Sequence, residues 1–145
     1  MILESVYKDK STSYSHLYLL LKERKDHESI SHNEMPTWEE HRNFVDRKPY
    51  NSWFIIYEVI DGKTTAVGSL YFTYKNEIGI AIYEKYRRRG YAYQAINAFT
   101  SDFKDVDFYA NINPANQKSI DLFTKLGFAH IQSTYKRGRK PYAGA

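Results

Sequence analysis

The chain of 145 residues contains no cysteine. That excludes a disulfide framework, a thiolate zinc site and a cysteine nucleophile. Proline (4) and glycine (7) are sparse and fall between periodic stretches rather than in clusters, so no linker, internal repeat or low-complexity segment divides the chain. No apolar run approaches the roughly 20 residues of a membrane-spanning helix, and the residues after Met1 do not read as a signal peptide. A cytoplasmic location without a membrane partner is expected. The five histidines show no paired metal-ligand spacing, so no metal site is expected.

What remains is the balance of a single globular domain over 1–145, with 42% hydrophobic and 26% charged residues. The net charge of +4 suits an acidic ligand but does not by itself imply nucleic acid. The surplus sits in Arg87-Arg88-Arg89 and in Lys136-Arg137-Gly138-Arg139-Lys140. The basic tail over 136–145 reads as a terminal strand or as a disordered arm; it is short, and no aromatics cluster beside it to suggest a nucleic-acid platform. Aromatics reach 17%, with 14 tyrosines, which fits a core wall with wet edges.

Periodicity orders the elements. Residues 1–7 suggest a first strand. Ser11 or Ser13 can cap a helix to about Lys25, with Tyr14, Leu17, Leu20 and Leu21 on related turns. Thr37 and Glu40 form a capping box, after which Trp38, His41 and Val45 share a face. Trp53–Ile60, the Asp61-Gly62 turn and Thr64–Thr73 read as a hairpin, and Glu77–Tyr83 as a third strand. In that strand Ile78, Ile80 and Ile82 take one face. Glu77, Gly79, Ala81 and Tyr83 take the other, where small residues allow close approach to the backbone. A helical period runs from Arg88 through Ala92, Ala95, Ile96, Phe99 and Phe103. Asp105–Asn111 reads as a strand, Asn113-Pro114 opens a helix that Gly127 ends, and Phe128–Tyr135 reads as a last strand. The sum is an α/β fold with a mixed sheet.

The segment Arg87-Arg88-Arg89-Gly90-Tyr91-Ala92 lies between a strand and a helix. A helix start exposes unpaired N–H groups and the positive end of the dipole, Gly90 permits a tight turn, and arginine forks suit phosphate oxygens. Together they suggest a pyrophosphate cradle; the plainer alternative is a solvated basic turn. Neither G-x-G-x-x-G nor G-x-x-x-x-G-K is present.

The order strand, Arg87-x-x-Gly90-x-Ala92, helix, strand, and then Asn116, Ser119, Leu122, Lys125, Gly127 and Phe128 resembles the GNAT N-acetyltransferase superfamily. The resemblance is best over 51–128. It implies a mostly antiparallel central sheet of six to seven strands flanked by about four helices, with acetyl-CoA as co-substrate. Backbone N–H groups from Arg88, Arg89, Gly90, Tyr91 and Ala92, with Arg87 beside them, would hold the pyrophosphate. The pantetheine arm would pair like an added strand along Ile80 and Ile82, with the Ile82 N–H as donor to the thioester oxygen. Asn116 would reach the pantetheine or the next strand, and Ser119 the phosphate side; a cap at its helix is the structural alternative for Asn116.

The same resemblance makes Glu77 the candidate to accept the amine's proton and to border the acceptor, unless it is only a strand-end carboxylate paired with Lys75 or an arginine. Trp38 and His41 lie where relatives shape the acceptor pocket, although Trp38 also reads as a core anchor and His32 and His41 as plain surface or partly buried residues. Many relatives carry a tyrosine acid where this chain has Phe123, which leaves Tyr83, Tyr109, Tyr135 or water to protonate the thiolate. The implied function is N-acetylation of a small-molecule primary amine. The alternatives are acetylation of a protein N-terminus or lysine, and a non-catalytic acyl-CoA-binding module. Relatives also allow a homodimer.

Overall fold

The computed structural model describes residues 1–25, 28 and 34–138. Four strands form one antiparallel sheet in chain order: β1 (Ile2–Ser5), β2 (Ser52–Ile60), β3 (Lys63–Phe72) and β4 (Ile78–Ile82). Four helices accompany it: α1 (Lys10–Glu23), α2 (Trp38–Asp46), α3 (Tyr91–Ser101) and α4 (Gln117–Lys125).

Local chemistry accounts for most boundaries. Asp9, not a serine, caps α1: its carboxylate accepts from Thr12 N, and the helix starts one residue later. Thr37 and Glu40 close the expected capping box at α2, with Thr37 N–H donating to Glu40 Oε1 at 2.8 Å and Glu40 N–H to Thr37 Oγ1 at 3.1 Å. Asp61 and Gly62 both have positive φ, 51° and 76°, as a two-residue hairpin loop requires. In β3 the register steps between Ile56/Tyr57, which pair with Gly68 and Ala66 and leave Val67 as a bulged residue.

The sheet has helices on both faces. One face carries Ile56, Val67, Leu70, Phe72, Ile78 and Ile82, buried against Ala95, Ile96 and Phe99 of α3 and Phe123 of α4. The other carries Trp53, Ile55 and Ala66, buried against Val6 of the turn that follows β1, Tyr14 and Leu17 of α1, and Val45 of α2.

The sheet is smaller than the six to seven strands expected. Residues 105–111 run beside the start of β4 but touch it through a single parallel bridge, Glu77 to Tyr109. The alternation of that segment is real, since Phe108, Ala110 and Ile112 pack on the α3 core. After Tyr109, however, it diverges and no ladder forms. Residues 128–138 adopt neither helix nor strand; Ile131 and Tyr135 stand 69% and 93% exposed, so the expected strand Phe128–Tyr135 has no partner among the described residues. The basic tail from 139 onward, and His32, lie outside the described residues.

Candidate functional site

The edge of β4 sets the site. Thr73 N–H donates to Glu77 C=O (2.9 Å) and Tyr83 N–H to Val67 C=O (2.9 Å), whereas Ile78 N–H points the other way, to Tyr109 C=O (2.7 Å). Antiparallel alternation then turns the main-chain groups of Ile80 and Ile82 to the same outer side as those of Ile78. There β4 has no further strand neighbour among the described residues. The open carbonyl of Ile82 accepts from Arg87 Nε at 3.1 Å.

Gly79 and Ala81 do offer little side chain, but at Gly79 the space is filled from within the sheet. A Cβ there would lie 2.0 Å from the Tyr71 ring, which itself stacks on Tyr50 at 4.1 Å.

Beyond β4 a short 3-10 turn, Glu84–Tyr86, leads to the cradle. Arg88 (φ 66°) and Gly90 (φ 79°) are left-handed, so the chain doubles back before α3. Gly90 caps α3 without a side chain, and the first helical bond runs from Gln94 N–H to Gly90 C=O. The N–H groups of Tyr91, Ala92 and Tyr93 therefore precede the helical ladder and face outward from its positive end. A Cβ at Gly90 would meet nothing within 4 Å, so the space beside it is open.

A cleft of about 290 Å³ adjoins the cradle, lined by Lys25, Arg87, Arg88, Lys118 and Glu84. Lys25 pairs with Glu84 at 3.8 Å, and Arg88 and Lys118 leave the lining net basic, which suits an anion. Lys25 and Lys118 were not visible as contributors in the sequence, because long-range folding alone brings them together. The three arginines divide their work. Arg87 pairs with Glu28 (Nη1 to Oε2, 3.2 Å), Arg88 lines the cleft, and the Arg89 guanidinium lies over Tyr86 at 5.6 Å.

Asn116 caps α4, its side chain accepting from Ser119 N–H at 3.2 Å. Lys118 in the same first turn lines the cleft, which places Ser119 close by in sequence. Phe123 is buried at 4% exposure and packs edge-on against Phe128, so its position is an apolar core site.

The other expected residues lie on the opposite sheet face. Trp38 is not a core anchor: it is 41% exposed, because it opens α2 at the rim, with its ring edge-on to Tyr18 at 5.2 Å. His41 is buried rather than superficial, with Nε2 at 3.0 Å from Tyr14 C=O; burial lowers its pKa. Neither lines the basic cleft.

Among the described residues Glu77 pairs with neither Lys75 nor an arginine. Its Oε1 accepts from Thr73 Oγ1 (3.0 Å) and its Oε2 from Asn111 Nδ2 (2.5 Å). Of the candidate acids, Tyr83 is buried and its hydroxyl meets His16 Nδ1 at 2.8 Å. Burial pushes the Tyr83 hydroxyl up to about 12 and the His16 imidazole down. Tyr109 and Tyr135 are exposed. No group of three potential His, Asp or Glu metal ligands occurs among the described residues.

Comparison with solved structures aligns the fold with a domain from Methanocaldococcus jannaschii (TM-score 0.74, 22% identity, covering 96% of this chain and 92% of that one). An acetyltransferase from Thermus thermophilus aligns at 0.66 and 20% identity, covering 90% and 88%. A chimera of the spermidine N-acetyltransferase SpeG of Vibrio cholerae and hSSAT aligns at 0.67 and 17% identity, covering 91% and 84%. Comparison with curated proteins finds no match. The sequence profile of the acetyltransferase (GNAT) domain matches residues 12–129, most of the chain. On that match, with a fold shared with the solved structures above, the chain belongs to the GNAT acetyltransferase family.

Proposed function

We propose that the protein transfers the acetyl group of acetyl-CoA to a primary amine of a small molecule. The carrying observation is continuity: the open edge of β4 leads, through the Glu84–Tyr86 turn and the arginine segment, to the unpaired N–H groups of α3, with a cationic cleft alongside. A pantetheine arm needs main-chain partners and a pyrophosphate needs N–H donors and cations, and here they follow one another along the chain. Arg87, Arg88, Arg89, Gly90, Tyr91 and Ala92 hold the pyrophosphate in this reading, with Ser119 on its phosphate side. Ile80, Ile82 and Asn116 hold the arm.

The amine nitrogen attacks the thioester carbonyl carbon, the C–S bond breaks, and coenzyme A leaves as the thiolate. The Ile82 N–H donates to the carbonyl oxygen as it gains charge. Glu77 takes the proton that the amine loses. The thiolate is protonated by water, since Phe123 has no proton to give and the Tyr83 hydroxyl is committed to His16. Trp38 borders the acceptor in this reading, and the buried His41 packs behind it. The spermidine enzyme among the fold neighbours supports a small-amine acceptor.

Calorimetric titration with acetyl-CoA and with free coenzyme A tests the donor site. Micromolar binding is expected, weakened at least about tenfold by Gly90→Val, whose branched side chain strains a left-handed φ. An amine panel read by thiol release then tests turnover, with Glu77→Gln expected to lower kcat about 100-fold. Absence of binding would overturn the proposal. Binding without turnover on any amine would select the second reading, a non-catalytic acyl-CoA-binding module, which the buried Phe123 favours.

A further inference from the structure

The opening between β4 and residues 109–112 has an apex, and one side chain spans it. At the apex Ile78 N–H donates to Tyr109 C=O (2.7 Å) and Tyr109 N–H to Asn76 C=O (2.8 Å). No backbone bond joins the two segments further along β4 among the described residues. The angle at which they part is set by the packing of Ala110 and Ile112 on the α3 core and by what grips the two segments at the apex.

The Glu77 carboxylate does so from both sides. Oε1 accepts from the hydroxyl of Thr73, the residue that follows β3. Oε2 accepts from the amide of Asn111, two residues past the last bridge and already on the departing arm. Thr73 is itself fixed, because its Oγ1 also accepts from Lys75 N–H (3.2 Å) and Glu77 N–H (3.0 Å). Hydrogen bonds to an ionised carboxylate are roughly twice as strong as neutral ones, so this tether resists splaying.

We infer that Glu77 is a positioning residue: through Asn111 and Thr73 it sets the width of the slot along β4 that receives the pantetheine arm. The inference rests on the donor site proposed above and is separate from any proton that Glu77 accepts. A slot held at its bound width loses less freedom when the ligand enters.

Binding of free coenzyme A, which involves no chemistry, isolates the clasp. Asn111→Ala and Glu77→Leu are each expected to weaken it about tenfold. The double variant should be no weaker than about twentyfold, since both changes remove the same tether. Glu77→Gln keeps a carbonyl oxygen for the Asn111 amide and should hold coenzyme A within about threefold of wild type, whatever it does to kcat. Asn111 is exposed, so Asn111→Ala should remain folded, which a melting curve checks. In turnover, its effect should fall on KM for acetyl-CoA rather than on kcat. Unchanged coenzyme A affinity in Asn111→Ala, or fully multiplicative losses in the double variant, would overturn the clasp while leaving the donor site standing. Failure of the wild type to bind coenzyme A would instead remove the donor site itself.

Discussion

The two faces of the sheet are built from different materials. Against α3 and α4 the buried residues are all apolar: Ile, Val, Leu, Ala and Phe, with Phe54, Phe72, Phe99, Phe103 and Phe108 in mutual ring contact. Against α1 and α2 the interior is mixed. Ser13 and His41 are buried there, Tyr14 bonds Asp46, Tyr50 stacks on Tyr71, and Trp53 keeps its indole N–H buried without a partner among the described residues. A polar group taken out of water must find a partner or destabilise the fold, so the second face depends on contacts such as His41 to Tyr14 and Tyr14 to Asp46. The difference teaches how each half is held together. The α3 side is an apolar frame, and the α1–α2 side is a polar, aromatic wall.

Breaking the frame should have the largest effect. Phe99→Ala empties a site 6% exposed beneath four other phenylalanines and should cost about 3–5 kcal/mol in urea denaturation. A loss near 1 kcal/mol would mean that the two faces do not differ as described.

Acid sharpens the contrast from the other side. His41 and His16 both have folded pKa values below the ordinary 6.5, mainly through burial. The unfolded chain therefore binds more protons near pH 6, and stability must fall as pH drops below about 6.5 and be complete above it. The melting temperature should decline over that range, and His41→Gln should flatten the decline; an equal slope in the variant would remove His41 as its source.

The smallest effect is expected at Trp53→Phe. Removing an unpartnered indole N–H offsets the lost ring contacts, so stability should change by less than about 1 kcal/mol. A loss comparable with that of Phe99→Ala would show that this indole is satisfied in solution.

Much of the frame was legible because its causes are local. Thr37 with Glu40, Asp61 with Gly62, and Gly90 before an apolar helical period each specify geometry within four residues. The cap of α1 was misread because Asp9 and Ser11 lie within one turn and either chemistry could close it. The strand count was misread for a different reason. Residues 105–112 alternate correctly, but a strand exists only with a partner, and whether β4 zips or parts from them is a tertiary outcome. Trp38 shares a helical stripe with His41 and Val45, yet its place at the first turn sets it at the rim. Glu77–Asn111, His16–Tyr83 and Glu28–Arg87 join residues 34, 67 and 59 positions apart, beyond any spacing rule.

The placement of the two tryptophans has an optical consequence. Trp53 lies in the α1–α2 core and Trp38 on its rim against Tyr14, Tyr18 and His41, so the cluster packed on α3 contains none. Intrinsic indole emission thus observes one half of the molecule. A sheltered indole and a wet one report on the polar, aromatic side, while the side built of aliphatic residues and phenylalanine adds no indole of its own.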